Sequence, residues 1–291
     1  MNNKACFNIN DISFKISSFA VQSMIYEVSC FPSPGLVSPV STGAHDDMNY
    51  YTFIDSTCAL IKYLILFVQE GFKGYSGREL FESIRKIGME AEKDMFAKTK
   101  GINTQKGMLF LMGIACSAVG KVICEGRDFD DIKNVIKEMT AGLVEKELVL
   151  LDNKEDISHG EETYLKYKVK GIRGEVEEGL PIVFNFSLNF YCNCPELSIN
   201  DRLIHTLIAI MQVCEDTTIV YRHSLEVLIQ VQKKAKEIMK IGGMKTQDGR
   251  EMIKRLCDEF VEKRISPGGS ADLLGITVFM DLVKEYMNKG S

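Results

Sequence analysis

The chain lacks tryptophan altogether and has only six prolines in 291 residues, so few positions interrupt regular backbone. It also lacks a long apolar run: Met108 to Gly120 stops at Lys121, short of the ~20 residues a membrane-spanning helix needs. The uncharged run Gly179 to Pro195 carries Asn185, Asn189, Asn193 and two prolines, which makes it a poor anchor. There is no excess of positive charge. Thirty-five Lys and Arg face 40 Asp and Glu, and a net charge of -5 gives no general field for a nucleic-acid backbone or an anionic membrane. Any phosphate site must therefore be local.

Ordered cysteine spacing is missing too. The nine cysteines are odd in number and irregular from Cys6 to Cys257, and no basic-then-apolar leader follows Met1, so reduced thiols in a cytoplasm are expected. Cys192 and Cys194 have no partner pair at metal-finger spacing and read as buried thiols. No serine elbow, Walker lysine loop or dinucleotide fingerprint occurs, which counts against acyl transfer, a P-loop kinase and a Rossmann oxidoreductase.

What the chain does have is apolar residues at three- and four-residue spacing, which predicts an all-α, single-domain multi-helix bundle. Ile16, Phe19, Ala20, Met24, Ile25 and Val28 mark a first helix that Pro32 and Pro34 must end. Further helices are predicted over 48–72, 77–97, 104–123, 130–143, 197–214, 223–239, 246–261 and 270–287. The runs 148–151 and 183–186 have local strand character, and helix is preferred for the second. The charged patch Asp152 to Glu162 reads as a surface loop, and no linker or internal repeat divides the chain.

Glycine and polar residues gather in short loops that lead into predicted helices. Gly101 to Gly107 places Asn103, Thr104 and Lys106 before an apolar helix, where free N–H groups and a lysine can meet an anion. In Ser266-Pro267-Gly268-Gly269-Ser270, the glycines permit close approach and Ser270 can cap the last helix, with Asp272 in its first turn. Each of these is also what an ordinary cap looks like. Arg173, flanked by Gly171 and Gly174, suits a phosphate fork or a solvated charge run, and Glu175 and Glu178 share a face if this segment is helical. Asp216 reads as an acid near the end of an apolar helix, where it calls for a hard cation or for Arg222. His45, Asp46 and Asp47 form the best general acid–base cluster, whereas His205 sits in an apolar helix as a core residue.

In this order the segments resemble the triphosphoribosyl-dephospho-coenzyme-A synthase family. The resemblance rests on Glu27-Val28-Ser29 with Pro32-Ser33-Pro34-Gly35-Leu36-Val37, on Gly43 to Met48, on Gly101 to Gly107, on Leu165-Lys166-Tyr167, on Gly171 to Glu175, and on Ser266 to Leu274. It implies an all-α enzyme that moves the triphosphoribosyl group of ATP to the 2′-hydroxyl of 3′-dephospho-coenzyme A and releases adenine. The implied product is the prosthetic-group precursor of citrate lyase or malonate decarboxylase, passed to a separate transferase that acts on an acyl carrier protein. Gln105 stands where the family usually has histidine, and Asp216-Thr217-Thr218, followed by Arg222 and His223, replaces an Asp-Thr-Asn segment with arginine and glycines.

On that resemblance, Mg²⁺ is expected on some of Asp47, Glu178, Asp216 and Asp272, bridging a triphosphate. Lys106, Arg173, Arg222 and the segments around Pro34-Gly35, Asn103-Thr104, Gly107, Gly174, Ser266 and Gly268-Gly269-Ser270 are the expected substrate contacts. Asp47 is the expected base, oriented by His45, with Glu175 or Glu178 as the alternative. Two rivals remain at this level: a helical metal-dependent phosphohydrolase suggested by His45-Asp46, and a non-catalytic nucleotide- or coenzyme-binding protein suggested by Gln105.

Overall fold

A computed structural model describes residues 10–150 and 157–289, and among them thirteen α-helices and no strand are found, only an isolated bridge between Ser38 and Ser41. Helix α1 (Asp11–Ser29) starts where the Asn10 side chain accepts the Ser13 N–H at 2.6 Å, and it stops just before Pro32. Reciprocal capping boxes, Asn49 with Thr52 and Ser76 with Glu79, start α2 (Tyr50–Gly71) and α3 (Gly77–Lys98). These three helices surround α4 (Lys106–Cys124), whose Leu111, Met112, Ala115, Cys116 and Val119 have no exposure. By length and composition both α2 and α4 could cross a membrane, which corrects the length argument made from sequence. In α4, however, 78% of the apolar window is buried inside the protein, as in a core helix.

The chain continues through α5 (Ile132–Thr140), α6 (His159–Tyr167), α7 (Gly171–Glu177), α8 (Leu188–Cys192) and α9 (Ile199–Met211). It closes with α10 (Thr217–Arg222), α11 (Leu225–Lys240), α12 (Gln247–Glu262) and α13 (Gly268–Lys289), the last lying against α1, α4, α8 and α9. One cluster of buried apolar side chains draws on α1 to α5, α7 to α13 and the turns between them. All eight described cysteines are unpaired.

Several local expectations are corrected. The expected loop Asp152–Glu162 lies outside the described residues up to position 156, but Ser158 and Glu161 form a capping box that starts α6 at His159. Residues Glu145–Val149 and Val183–Ser187 are single π-turns, so neither ambiguous run is a strand, and Leu151 lies outside the described residues. Asp216 does not end a helix. It begins α10, accepting the Thr218 and Ile219 N–H groups at 3.1 and 3.4 Å, where a carboxylate is favoured by the helix dipole. His223 breaks the chain between α10 and α11, which Ser224 caps. Ser270 lies inside the first turn of α13 rather than at its cap.

Candidate functional site

The loop between α1 and α2 is folded back on the segment before α13. Gly35 has a φ of +68°, and a Cβ placed there would stand 1.9 Å from the Ile265 carbonyl oxygen, so only glycine admits this approach. The Ala44 N–H donates to the Gly35 carbonyl at 3.0 Å, which brings His45 around to Ser266: His45 Nε2 and Ser266 Oγ are 2.9 Å apart. Across the same contact Arg264 reaches Asp46 at 2.7 Å. His45, Asp46, Asp47, Arg222, Lys263 and Arg264 face a cavity of ≈ 550 Å³.

Within it, burial holds the His45 imidazole below its ordinary pKa, Arg222 adds to this, and Asp47 and Asp46 oppose it. The ring is therefore neutral near pH 7. His45 Nδ1 is buried without a hydrogen-bond partner, and its 3.8 Å separation from Asp47 Oδ1 is too long for a hydrogen bond. His45 thus makes no hydrogen bond to Asp47, whose side chain is exposed. Arg222 is exposed and makes no ion pair with any described residue.

Behind Ser266 the start of α13 meets the starts of α10 and α4. The Ser270 N–H and hydroxyl both donate to Asp216 Oδ2, at 2.8 and 3.0 Å. Asp216 is 1% exposed; burial raises its pKa, and its bonds to Ser270, Gly269 and Ile219 pull the other way. Asp272 lies against Gly107 at the start of α4, where a Cβ would stand 2.1 Å from its Oδ2. Its pKa is raised well above the ordinary value, first by burial, then by Glu27 and Asp216. Glu27, on α1 and 6% exposed, is pushed up to about 8 by burial, and its carboxylate has no hydrogen bond or ion pair with the described residues. Glu27, buried on α1, and Asp272, half-buried on α13, are therefore electrostatic neighbours.

Glu27 was not among the site residues expected from sequence. A signal was present, because it falls three residues after Met24 on a buried helix stripe whose other members are uncharged. A second unexpected neighbour is His159, whose ring stacks on Tyr221 with centroids 3.7 Å apart. Its pKa is lowered mainly by burial, with Glu162 opposing and Lys106 and Arg222 assisting, which places α6 beside both cations.

The remaining expected residues are distributed as follows. Lys106 Nζ pairs with Glu92 at 2.6 Å, its own N–H meets Asn103 Oδ1 at 3.3 Å, and the Thr104 hydroxyl is donated to Ser56 at 2.8 Å. Gln105 is buried, accepts from the Thr57 hydroxyl at 3.3 Å, and leaves its Nε2 without a partner. Pro34, Gly174 and Gly269 are buried, and Gly268 is partly exposed. Arg173 is not brought to the cavity. Its Nε donates to Glu147 at 2.8 Å, and Glu147 also pairs with Arg85. Glu175 accepts the Ile182 N–H at 2.7 Å and is raised to about 7, chiefly by burial.

Of the four carboxylates expected on a metal, Asp216 and Asp272 are neighbours, but Asp47 faces the cavity and Glu178 is an exposed partner of Lys170 at 3.6 Å. No group of three or more His, Cys, Asp or Glu among the described residues is arranged to hold a metal ion. Of the histidines, His45 and His223 line the same cavity, but His223 meets the Arg264 carbonyl at 3.0 Å and His205 lies in the core, accepting the Met244 N–H at 3.3 Å, so the several converging histidine ligands of a His-Asp phosphohydrolase are not assembled among the described residues.

The family model described as CitG, ATP:dephospho-CoA triphosphoribosyl transferase, matches residues 13–291. A probable 2-(5''-triphosphoribosyl)-3'-dephosphocoenzyme-A synthase of Malonomonas rubra is 37% identical over 96% of this chain and 90% of its own length. A protein of the same description from Lactiplantibacillus plantarum is 38% identical over 94% of this chain and 98% of its own. The Protein CitXG of Leuconostoc mesenteroides is 38% identical over 91% of this chain, which corresponds to 58% of that longer protein. No solved structure matches.

Proposed function

The chain belongs to the ATP:dephospho-CoA triphosphoribosyl transferase family and is such an enzyme; we propose that its reaction takes place between the 31–48 loop and the starts of α4, α10 and α13. What supports this is the meeting of segments far apart in sequence: Gly35 on Ile265, His45 on Ser266, Gly107 on Asp272, and Asp216 on Ser270. Lys106, at the start of α4 and on the side of the His159 ring, suits a polyphosphate that must be gripped and not cleaved, whereas the first N–H groups of α10 and the Ser270 N–H of α13 already go to Asp216.

A divalent cation would accompany the triphosphate. Mg²⁺ is commonly held by one or two carboxylates plus substrate phosphates, and Glu27 and Asp272, which meet the start of α4 at Met108 and Gly107 and have no ion pair with a described residue, would supply them. Bound there, the ion would neutralise the triphosphate and fix its position. Asp216 is assigned instead to holding α10 and α13 together.

In the reaction the bond from C1′ of the ATP ribose to adenine breaks as a bond to the acceptor's 2′-oxygen forms, through an oxocarbenium-like state. Asp47 takes the proton of that hydroxyl, and neutral His45, fixed by Ser266, keeps the field beside it. Adenine leaves with the electron pair of the broken bond and gains a proton. We assign the product to the prosthetic group of citrate lyase or malonate decarboxylase, to be attached by a separate transferase to an acyl carrier protein.

Incubation with ATP, 3′-dephospho-coenzyme A and Mg²⁺ tests this reading. Free adenine and an acceptor heavier by one triphosphoribosyl unit are expected. Phosphate release without adenine would instead indicate hydrolysis, and ATP binding without adenine release a non-catalytic protein.

A further inference from the structure

The cavity at His45 continues into a second one of ≈ 290 Å³, and the two share His223 and Lys263 in their walls. Their linings differ in kind. The first presents Arg222, Lys263 and Arg264 near its two carboxylates, whereas the second is a trough floored by Val227, Val231, Phe260 and Ile265, with Gln230 and the Glu259 carboxylate, which pairs with both Lys234 and Lys263, along it. We propose that the trough holds the pantetheine arm of the acceptor while Arg222, Lys263 and Arg264 take its diphosphate, an assignment that rests on the transferase reading above.

The chemistry of the two substrates decides the occupant. ATP's one apolar group, adenine, sits on the reacting ribose, and nothing extends beyond its triphosphate. The acceptor joins an adenosine diphosphate to a long, uncharged chain of methylenes and two amides, so it alone carries an uncharged arm on the far side of its phosphates from the reacting sugar, which suits a cationic stretch followed by an apolar one with polar edges. The order of the linings matches that sequence of groups. With the diphosphate at Lys263, the arm runs toward Val231 and Gln230, and the adenosine end runs toward His45 and Asp47, where its hydroxyl must react. The two cavities together lie within the ~300–1,000 Å³ usual for small-molecule sites. Arg222, which makes no ion pair with any described residue, is available to an incoming anion.

Steady-state kinetics on Val227→Trp, which fills the trough, tests this beside Ile229→Trp on the 56%-exposed opposite side of α11. For Val227→Trp the KM for dephospho-coenzyme A should rise at least about tenfold, with the KM for ATP within about twofold and kcat within about threefold, the pattern of lost ground-state binding. Ile229→Trp should match wild type. Pantetheine without the nucleotide should inhibit wild type competitively against dephospho-coenzyme A but not against ATP. Should Val227→Trp fail to fold, Gln230→Trp on the exposed rim takes its place. An unchanged acceptor KM in the folded variant, an equal rise for both substrates, or pantetheine competition against ATP would overturn the proposal. Absence of triphosphoribosyl transfer by the wild-type protein would instead refute the residue-level reading on which it rests.

Discussion

Replacing Glu27 by Gln should make the ligand-free protein more stable and the enzyme worse. Burial lifts the Glu27 carboxyl from its ordinary 4.5 to about 8. Between those values the folded state keeps a proton that the unfolded state has released, so this group's contribution is full below pH 4.5 and falls as pH rises through 8. At ~1.4 kcal/mol per pH unit the full loss approaches 5 kcal/mol, and local relaxation with entry of water reduces it, so about 2–5 kcal/mol is expected above pH 8. Glutamine keeps the shape and has no charge to bury. Urea denaturation of the ligand-free protein at pH 6 and pH 8.5 measures the effect. Wild type should lose stability between the two, and Glu27→Gln should lose about 2 kcal/mol less. Mg²⁺ with ATP should raise the wild-type midpoint most at pH 8.5, where the ionised carboxylate gains its cation, and should raise that of the variant much less. Identical pH slopes in the two proteins would refute the burial argument. An equal Mg²⁺–ATP response would remove Glu27 from the metal seat.

Asp47→Asn should lower kcat by about a hundredfold or more with the KM for ATP little changed, because the amide cannot take the hydroxyl's proton; equal turnover would remove Asp47 as base. Lys106→Ala breaks the partly exposed pair with Glu92, so stability should fall by no more than about 1 kcal/mol while the ATP requirement rises about tenfold in initial-rate assays. An unchanged ATP dependence would leave Lys106 only the task of joining α3 to α4.

The long helices were legible because their apolar periodicity is local: the stripe from Ile16 to Val28 gives α1 without any tertiary information. Helix α6 was hidden by its charge, although Ser158 and Glu161 at capping-box spacing were there to be read. Asp216 was misplaced at a helix end because the apolar run through Cys214 gives no sign that α9 stops at Met211. The motif segments were legible as a set, yet their pairing was not. That Arg173 is taken by Glu147, and that Glu27 faces Asp272 across two helices, are consequences of packing between residues far apart in the chain.

Distant turns form one substrate site, and hydrogen–deuterium exchange with and without Mg²⁺ and ATP measures that directly. Protection should rise together in 27–47, 103–109, 216–222 and 266–273, with little change on α12. Protection confined to one of these segments, or spread evenly over the chain, would contradict it.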